Sequence, residues 1–412
     1  MNLNLDPGRV TGLPEKERAL LAERSLFDGF VDENGTGLTL LDDIVRGNRL
    51  VQQYAKACRD ELKFGCTFAT LSRDPALGCR IRFHTPRSAA ARWNGKEGRI
   101  DGGFAVIHAT ADPTTEEIKP QLINLYTDTA IWTLQRLPSE LWQATEYRHS
   151  LERPLMEPLI YSATSDRPLG RSRIKEPVRR LIDGYVRTVA NATIGLEFST
   201  APQKYLLGVS DEQFDAVVND KFRTYVGSLL AATTDPNTGE KPVYGQLPQG
   251  NIEPHVQMLR MLSTQFSAAT GLSVSDTGVV NDANPTSSDA IAAQTVTLVG
   301  MAEQLNAANG AALYTIAQMA LAIAQNTTPD KLPPEQQAVM AHFKNPARPN
   351  VAATADAATK IAGVRPAFAE TDVFLEMLGF DPAEVRRIKS QEVRARGLTL
   401  LNEEFSDEND VE

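Results

Sequence analysis

The amino-acid sequence predicts an α+β fold in which helices and an antiparallel sheet occupy separate stretches of the chain. Apolar residues recur at three- and four-residue spacing before residue 65 and again after residue 170, as they do on helices. Between these stretches apolar and polar residues alternate, as they do on strands. The composition, 42% hydrophobic and 23% charged over 412 residues, is sufficient to build a buried core.

The N-terminal part is expected to supply helices followed by the sheet. A short helix is predicted around Glu15–Arg24, and one amphipathic helix ending near Gly65 is predicted from an apolar stripe at Ile44, Val51, Tyr54, Cys58 and Leu62. Strands are predicted in four segments separated by Gly, Pro and Asp turns: "CTFATL", "CRIRFHT", "GGFAVIHAT" and "QLINLYTDTAIWTL". We therefore expect an antiparallel sheet that extends to about Leu155.

Residues 167–199 predict a further helix with two distinct faces. One face carries an apolar stripe: Ile174, Val178, Leu181, Tyr185, Val189 and Ala192. Another carries an arginine every seven residues, at Arg173, Arg180 and Arg187. Glu176 precedes Arg180 and Asp183 precedes Arg187 by four residues, the favourable order for helical ion pairs.

Residues 200–250 are irregular, with strands predicted at "KYLLGV" and "KPVYGQL" around the turn "TTDPNTGEKP". Asn251 can cap the next helix, which has Pro254 in its first turn. Its core stripe is Val256, Leu259, Leu262, Phe266 and Ala269. Gly271 is placed to end this helix, because glycine adopts the left-handed conformation common after a last helical turn.

A long polar loop, Leu272–Ser287, separates that helix from a very long one. Thr286 and Asp289 form a capping-box-like start, and apolar residues then recur at seven-residue spacing to about Asn326: Ile291, Leu298, Leu305, Ala312 and Met319. Such a helix is roughly 55 Å long. Gly300 and Gly310 are candidate kinks. We expect a rod of this length to bury its stripe against neighbouring copies of the chain.

The sequence contains no recognisable catalytic or cofactor motif. GxxxxGK[ST], GxGxxG, GxSxG and HExxH are absent, and the five histidines are scattered. Asp276, Asp282 and Asp289 do not follow the spacing of a calcium loop and are interpreted as loop charges and a helix cap. We therefore expect no catalytic site, no cofactor and no bound metal.

Net charge, cysteine content and hydropathy further limit the functional classes to which the protein can belong. A net charge of −10 argues against tight binding to nucleic acid, although it suits a surface that DNA must pass without adhering. Cys58, Cys66 and Cys79 form no CxxC pair, which indicates buried free thiols in a reducing compartment. No apolar run reaches eighteen residues, so no membrane span is predicted.

Several stretches in order resemble one family, the portal proteins of tailed bacteriophages, in particular the long-tailed, siphovirus-like type. The stretches "LGRSRI", "EFSTAPQKYLLG" and "GQLPQGNIEPHVQMLRMLSTQFSAATGL" resemble its paired stem helices. The stretch "NPTSSDAIAAQ" resembles the start of the family's long kinked helix. The later stretches "HFKNPARPNVAATADAATKIAG" and "LEMLGFDPAEVRRI" resemble the return of the chain into the wing and the crown. The wing resembles "KFGCTFATL" and "HTPRSAAARWNGKEGRIDGGFAVI". The chain is short for the family, with a brief N-terminal arm and a compact segment between the stem helices.

The resemblance implies the following division of the chain. The regions are an α+β wing (1–165), a stem helix (166–199), a small α/β clip (200–250), a second stem helix (251–271), a channel loop (272–287), a long kinked helix returning to the wing (288–354), and a helical crown with an acidic tail (355–412). Twelve such subunits would form a ring around a central channel for double-stranded DNA.

The resemblance also implies roles for particular residues. The channel loop would present Asp276, Val279, Val280, Asp282 and Asn284 at the narrowest point of the ring. The stem arginines Arg173, Arg180 and Arg187 would face DNA, or pair with acidic residues of the same helix or of a neighbour. Ile291, Leu298 and Leu305 would lie between subunits.

The implied partners are the DNA, the large subunit of the terminase motor, a head–tail adaptor protein, the major capsid protein and its scaffold, without a membrane. The ring would be assembled in the host cytoplasm and occupy one vertex of the capsid in the virion. Two other interpretations stay open at this stage. One is a soluble α+β enzyme or ligand-binding protein with a helical cap, and the other is a different self-assembling component of a phage head.

Overall fold

The computed structural model describes residues 12–32, 38–111, 118–200, 204–207, 239, 243–246, 251–278, 288–347, 351–380, 384–385 and 387–394. The chain divides into two compact units. The hairpin unit comprises residues 1–17 and 174–286, and the sheet unit comprises residues 18–173 and 287–412. The sheet unit is therefore assembled from two segments that flank the hairpin unit in sequence.

Helices and strands are mixed, and the predicted α+β class is confirmed. The helices are α1 (Leu13–Ala22), α2 (Thr39–Asn48), α3 (Leu50–Phe64), α4 (Glu176–Thr200), α5 (Glu253–Thr270), α6 (Ser288–Gln325), α7 (Pro334–Gln337), α8 (Val351–Val364), α9 (Pro366–Ala369) and α10 (Asp372–Met377). Short 3₁₀ turns occupy Ser275–Thr277 and Pro329–Lys331.

Twelve strands form four sheets within the described residues. They are β1 (Phe27–Val31), β2 (Cys66–Asp74), β3 (Gly78–His84), β4 (Ala89–Asn94), β5 (Arg99–Ala111), β6 (Ile118–Tyr126), β7 (Ala130–Arg136), β8 (Trp142–Arg148), β9 (Met156–Ile160), β10 (Lys204–Leu207), β11 (Val243–Gln246) and β12 (Met340–Phe343). The sheet orders are β3–β2–β9, β4–β5–β6–β7–β8, β1–β12 and β10–β11, and every pairing is antiparallel.

The core of the sheet unit is centred on β2. Six consecutive residues of this strand, from Cys66 to Leu71, are buried, so both of its faces are covered. Helices α3 and α6 both pack against β2, and a hydrogen bond from Asn309 to Glu61 joins them, so they cover the same side of the strand. On the other side, the hydroxyl of Tyr126 on β6 bonds Thr70. Strand β2 is also the middle strand of its sheet, between β3 and β9. The three cysteines are free and buried, as predicted.

The single helix predicted to end at Gly65 is wrong in one respect, because it consists of two helices. Arg49 lies between α2 and α3 with a φ of 50°, in the left-handed region. The side chain of Asn48 holds the chain there, since its Nδ2 donates to the carbonyl oxygens of Ile44 (2.9 Å) and Cys79 (2.8 Å). Its Oδ1 accepts from the amide of Ile81 at 2.9 Å. These tertiary hydrogen bonds override the continuous apolar periodicity.

A buried polar cluster joins α3 to α6. Asn309 Nδ2 donates to Glu61 Oε2 (2.9 Å) and to the hydroxyl of Tyr54 (3.0 Å), and that hydroxyl lies 2.7 Å from Ser25 Oγ. Neither Glu61 nor Asn309 has any measurable exposure. Burial raises the pKa of Glu61 to about 8, and the hydrogen bond from Asn309 only partly offsets this effect. Glu61 is therefore largely protonated at neutral pH.

The hairpin unit is dominated by α4 and α5, which pack against each other. Strands β10 and β11, which lie between α4 and α5 in the sequence, pair with each other. Lys204 lies opposite Gln246, and Leu207 lies opposite Val243. Both strands fall within stretches that the sequence predicts as strands. Gly184 of α4 lies close to Leu262 of α5, and a Cβ at this position would meet the leucine at 3.5 Å.

Candidate channel and assembly surfaces

Helix α4 has a buried side and a cationic side. Val178, Ile182 and Val186 are its buried apolar residues, and Leu262 and Phe266 are buried on α5. Only Val178 belongs to the apolar stripe predicted from the sequence, so the buried side is rotated relative to that stripe. Because the helix turns 100° per residue, the positions of Arg180 and Arg187 point roughly away from the buried side.

Both of these arginines are exposed. Arg180 Nε donates to Glu176 Oε1 at 3.1 Å, and both side chains are more than half exposed. An exposed pair of this kind contributes little to folding stability. Arg180 and Arg187 therefore remain accessible to a polyanion or to another protein surface.

Arg173 does not belong to this cationic side, which corrects the seven-residue arginine stripe. It precedes α4, lies in the sheet unit and is only 5% exposed. Its guanidinium donates to the hydroxyl of Tyr161 at 3.0 Å, and its amide donates to the carbonyl of Leu62 at 2.9 Å. The burial and these hydrogen bonds give Arg173 a structural role rather than a place facing DNA.

The first part of the predicted channel loop forms a tight local turn. Gly271 ends α5 with a φ of 72°, as predicted, and Ser267 Oγ donates to the carbonyl of Leu272. Ser275–Thr277 is a 3₁₀ turn that Gly278 ends with a φ of 88°. Asp276 Oδ2 accepts from the hydroxyl of Ser273 (2.7 Å) and from its amide (3.1 Å). One carboxylate oxygen of Asp276 is thus engaged in holding the turn.

The other proposed loop residues, Val279, Val280, Asp282 and Asn284, lie outside the described residues. Most of the proposed clip also lies outside them, apart from β10, β11 and Gly239. The placement of these four residues in a channel therefore stays a prediction. So does the division of the chain into wing, stem, clip and crown.

The long helix is present, but its heptad stripe is buried inside the subunit. Helix α6 spans 38 residues and continues through Gly300 and Gly310. Leu298 and Leu305 are each 3% exposed, and the helix packs on β2, β3 and β9 of its own chain. The expectation that a neighbouring copy buries these leucines is thus corrected. For Ile291 only the helical backbone is described.

The exposed side of α6 was not predicted from the sequence. Val296 is 66% exposed and Tyr314 is 42% exposed. Between them, small residues Gly300, Ala307 and Ala311 lie at helical spacing. Thr295–Gln325 is long and apolar enough to cross a membrane, but its qualifying 18-residue window is 61% buried inside the protein, as in the core helix of a globular protein.

The described residues bring no three His, Cys, Asp or Glu side chains together as a metal site would require. Of the described carboxyl groups whose pKa burial raises strongly, Glu61 has the largest shift, and it lies in the closed core of the sheet unit. The exposed functional candidates are thus surfaces: the cationic side of α4, the turn after α5 and the open side of α6.

Comparison with known proteins gives two relatives at the level of sequence. The portal protein of Mycobacterium phage D29 is 24% identical over 404 residues, which are 95% of this chain and 80% of that protein. The portal protein of Mycobacterium phage L5 is 25% identical over 312 residues, or 74% of this chain and 62% of that protein. The chain thus spans less than two thirds of the L5 protein. No known family profile matches the chain.

Solved structures give weaker likenesses. The neck of a native GTA particle, computed with C12 symmetry, shares 12% identity at a TM-score of 0.48 and covers 92% of this chain and 91% of its own. An HK97 family phage portal protein from Corynebacterium diphtheriae shares 12% identity at a TM-score of 0.38, covering 84% of this chain and 95% of its own.

The chain thus combines an α+β fold, whose candidate sites are surfaces, with sequence similarity to the portal proteins of two phages. This similarity supports the assignment of the chain to a phage portal family.

Proposed function

We propose that this chain is the subunit of a portal ring at one vertex of a phage capsid. The ring is the conduit for double-stranded DNA during packaging and ejection, docks the terminase motor and joins head to tail. The observation that carries the proposal is the match to the D29 portal protein over 95% of this chain. The ring contains twelve subunits, assembles in the host cytoplasm and contacts the adaptor, the major capsid protein and the scaffold.

Exposed arginines on α4 support a role for this helix beside DNA or beside a neighbouring stem. Arg180 and Arg187 lie away from the buried side, and Arg180 is balanced by Glu176. A partly neutralised face holds phosphates weakly, which suits a duplex that must slide. The loop from Leu272 to Ser287 approaches the duplex most closely.

The assembly part is tested by electron microscopy and native mass spectrometry of the purified protein. Twelve-membered rings with a central hole are expected. A protein that remains monomeric or dimeric at high concentration and across salt conditions contradicts the ring. The proposal includes no enzymatic activity. ATP hydrolysis by purified protein that disappears with a point mutant of this chain would contradict that part.

The channel part is tested by shortening the loop around Val279–Asn284. Gly271 ends α5 through its own backbone conformation, so the fold on that side should persist. Rings should form while packaging or retention of DNA in assembled heads fails. A Gly-Ser replacement of equal length is the matched control, because it separates the length of the loop from its side chains. Normal packaging with the shortened loop would mean that the loop does not face the channel.

A charge reversal sharpens the same test. Asp282→Lys should make DNA passage sensitive to salt, since each added phosphate contact steepens the salt dependence by about one unit. Asp276→Lys is the less specific variant, because the Asp276 carboxylate also accepts the two hydrogen bonds from Ser273.

A further inference from the structure

A groove lies between helix α3 and the end of strand β3 in the sheet unit. Its volume is about 780 Å³. The residues that line it include Arg49, Gln52, Lys56, Asp60, Phe83 and Thr85. From Arg49 to Asp60 the chain rises by about 16 Å along α3, which is the length of roughly five residues of extended chain. We call this feature the α3–β3 groove, and its size suits a short peptide segment.

Positive side chains lie along the α3–β3 groove. Arg49 and Lys56 are both exposed, and within the described part of the chain neither has an ion-pair partner. Near the other end of α3, the guanidinium of Arg87 lies over the ring of Phe64, 6.0 Å from its centroid. Cations that lack an acidic partner attract anions, so the ligand expected here is negatively charged.

The other titratable groups of the groove do not cancel this charge. Asp60 is half-buried, and burial raises the pKa of its carboxyl group, a rise that the charges of Lys63 and Arg18 partly offset. His84 also borders the groove, but its ring hydrogen-bonds to Thr70 Oγ1 at 3.0 Å. Burial lowers the pKa of His84, so this ring stays neutral at pH 7. The lining therefore keeps a net positive charge.

The same chain contains an acidic segment that complements this groove. Residues 398–412 contain no lysine or arginine. Their acidic residues are Glu403, Glu404, Asp407, Glu408, Asp410 and Glu412. Phe405 lies among them, and the groove presents an aromatic side chain of its own, Phe83. The segment lies outside the described residues, and up to about 30 Å of extended chain joins it to Arg394, the last described residue.

We propose that the acidic segment 402–412 binds in the α3–β3 groove of its own chain. Its carboxylates pair with Arg49 and Lys56, and Phe405 packs on Phe83. A tethered segment has a high effective concentration, so a few exposed ion pairs are enough to hold it. Nucleic acid is a poorer occupant, because its binding depends on many phosphate contacts and this lining supplies few cations. The inference concerns a single subunit and does not rest on the proposed ring.

Zero-length cross-linking of the full chain tests the proposal, because a carbodiimide joins a lysine to a carboxylate only when the two are in contact. Trypsin then releases the acidic segment within the peptide 397–412. Links from Lys56 to this peptide should exceed links from Lys96 by about tenfold, the effect of a few ion pairs acting together. Lys96 is the matched control, since it is also exposed and without an ion-pair partner among the described residues. Equal yields at the two lysines would overturn the proposal.

Charge changes in the groove give a second test that leaves Lys56 and the segment intact. Arg49→Asn removes one cation, and asparagine tolerates the left-handed φ of 50° at this position. Gln52→Glu adds a carboxylate at an exposed position of the lining. Both should lower the yield of Lys56 links several-fold. Arg46→Asn, on α2 outside the lining, is the control and should leave the yield unchanged.

Circular dichroism shows first that the three variants are folded. Unchanged Lys56 yields in both groove variants, or an equal loss in the Arg46→Asn control, would contradict the proposal. Two groove variants are used because one acts at a constrained backbone position and the other does not.

Two further measurements identify the occupant. When chains labelled with heavy nitrogen are mixed with unlabelled ones, the links should join segments and grooves of the same label. Links between differently labelled chains in equal amount would mean that another copy supplies the segment, and the proposal would be wrong. A synthetic peptide 402–412 in excess should suppress the Lys56 links, and duplex DNA should not. Suppression by DNA but not by the peptide would assign the groove to nucleic acid and reject the proposal.

Discussion

The long helix α6 and the hairpin formed by α4 and α5 carry similar helical patterns but lie in opposite environments. From Ile316 to Ile323 every residue of α6 is buried within the subunit. The hairpin buries one side of each helix and exposes apolar residues elsewhere, among them Ile194, Leu196, Met258 and Met261. The difference teaches that a regular apolar stripe does not reveal whether its partner belongs to the same chain or to another.

The largest expected effect comes from charging the buried side of α6. Leu298→Glu should unfold the sheet unit in the isolated subunit, because an unpaired buried charge costs several kcal/mol. Val296→Glu, two residues away at a position 66% exposed, should change stability by less than about 0.5 kcal/mol. Thermal unfolding by circular dichroism measures both. A folded, stable Leu298→Glu monomer would show that the stripe needs a neighbouring copy after all.

A pH dependence should follow from the buried carboxyl group beside α6. The pKa of Glu61 in the folded protein is about 8, above the value of about 4.3 for an exposed glutamate. The stability that this proton provides is complete below pH 4.3 and is lost as the pH rises through 8. The loss is at most about 1.4 kcal/mol per pH unit.

Glu61→Gln isolates this effect, since glutamine keeps the acceptor for Asn309 and cannot ionise. Urea unfolding of both proteins between pH 5 and 9 should give a stability difference that grows with pH in favour of the variant. Parallel pH profiles would mean that Glu61 does not bind its proton more tightly in the folded state.

The arginines offer a sharper comparison between the two regions. Arg173→Ala should destabilise the sheet unit by about 1.5–3 kcal/mol, because it removes a buried charged donor to Tyr161. Arg187→Ala should change stability by less than about 0.5 kcal/mol and act on DNA passage instead. Differential scanning fluorimetry and a packaging assay separate the two outcomes. Equal loss of stability in both variants would contradict the assigned environments.

A smaller, local effect is expected in the turn after α5. Ser273→Ala removes the hydroxyl that donates to Asp276, a loss of about 0.5–1.5 kcal/mol confined to the hairpin unit. Hydrogen exchange should quicken in residues 271–278 and stay unchanged in α6. Unchanged exchange in the turn would mean that the Asp276 carboxylate does not hold it.

Local rules predicted much of the fold from the sequence. The C-cap at Gly271, the strand pair β10–β11 and the length of α6 all depend on neighbouring residues. The break at Arg49 escaped prediction because Asn48 makes its decisive hydrogen bonds with Cys79 and Ile81, distant in sequence. The position of Arg173 escaped prediction for the same reason, because its hydrogen-bond partners Tyr161 and Leu62 are connected to it by no spacing rule.

The candidate surfaces were only partly predictable for a related reason. Spacing placed Arg180 and Arg187 on one side of α4, but the rotation of that helix required the position of α5. The α3–β3 groove required the hydrogen bonds of Asn48 with Cys79 and Ile81, which set the start of α3 against β3. In the sequence alone Arg49 and Lys56 are ordinary charged residues, and nothing brings them together with Phe83.

The discontinuous build of the sheet unit has a consequence for synthesis on the ribosome. Strands β2 and β3 leave the exit tunnel long before the segment of α6 that covers them, roughly two hundred residues later. At about 5–20 residues per second, the nascent strands wait roughly 10–40 seconds with part of one side uncovered. During that interval the newly made chain is open to chaperones and to pairing with its neighbours on the same polysome. The synthesis of α6 thus sets the time at which these strands can first be fully covered and protected from aggregation.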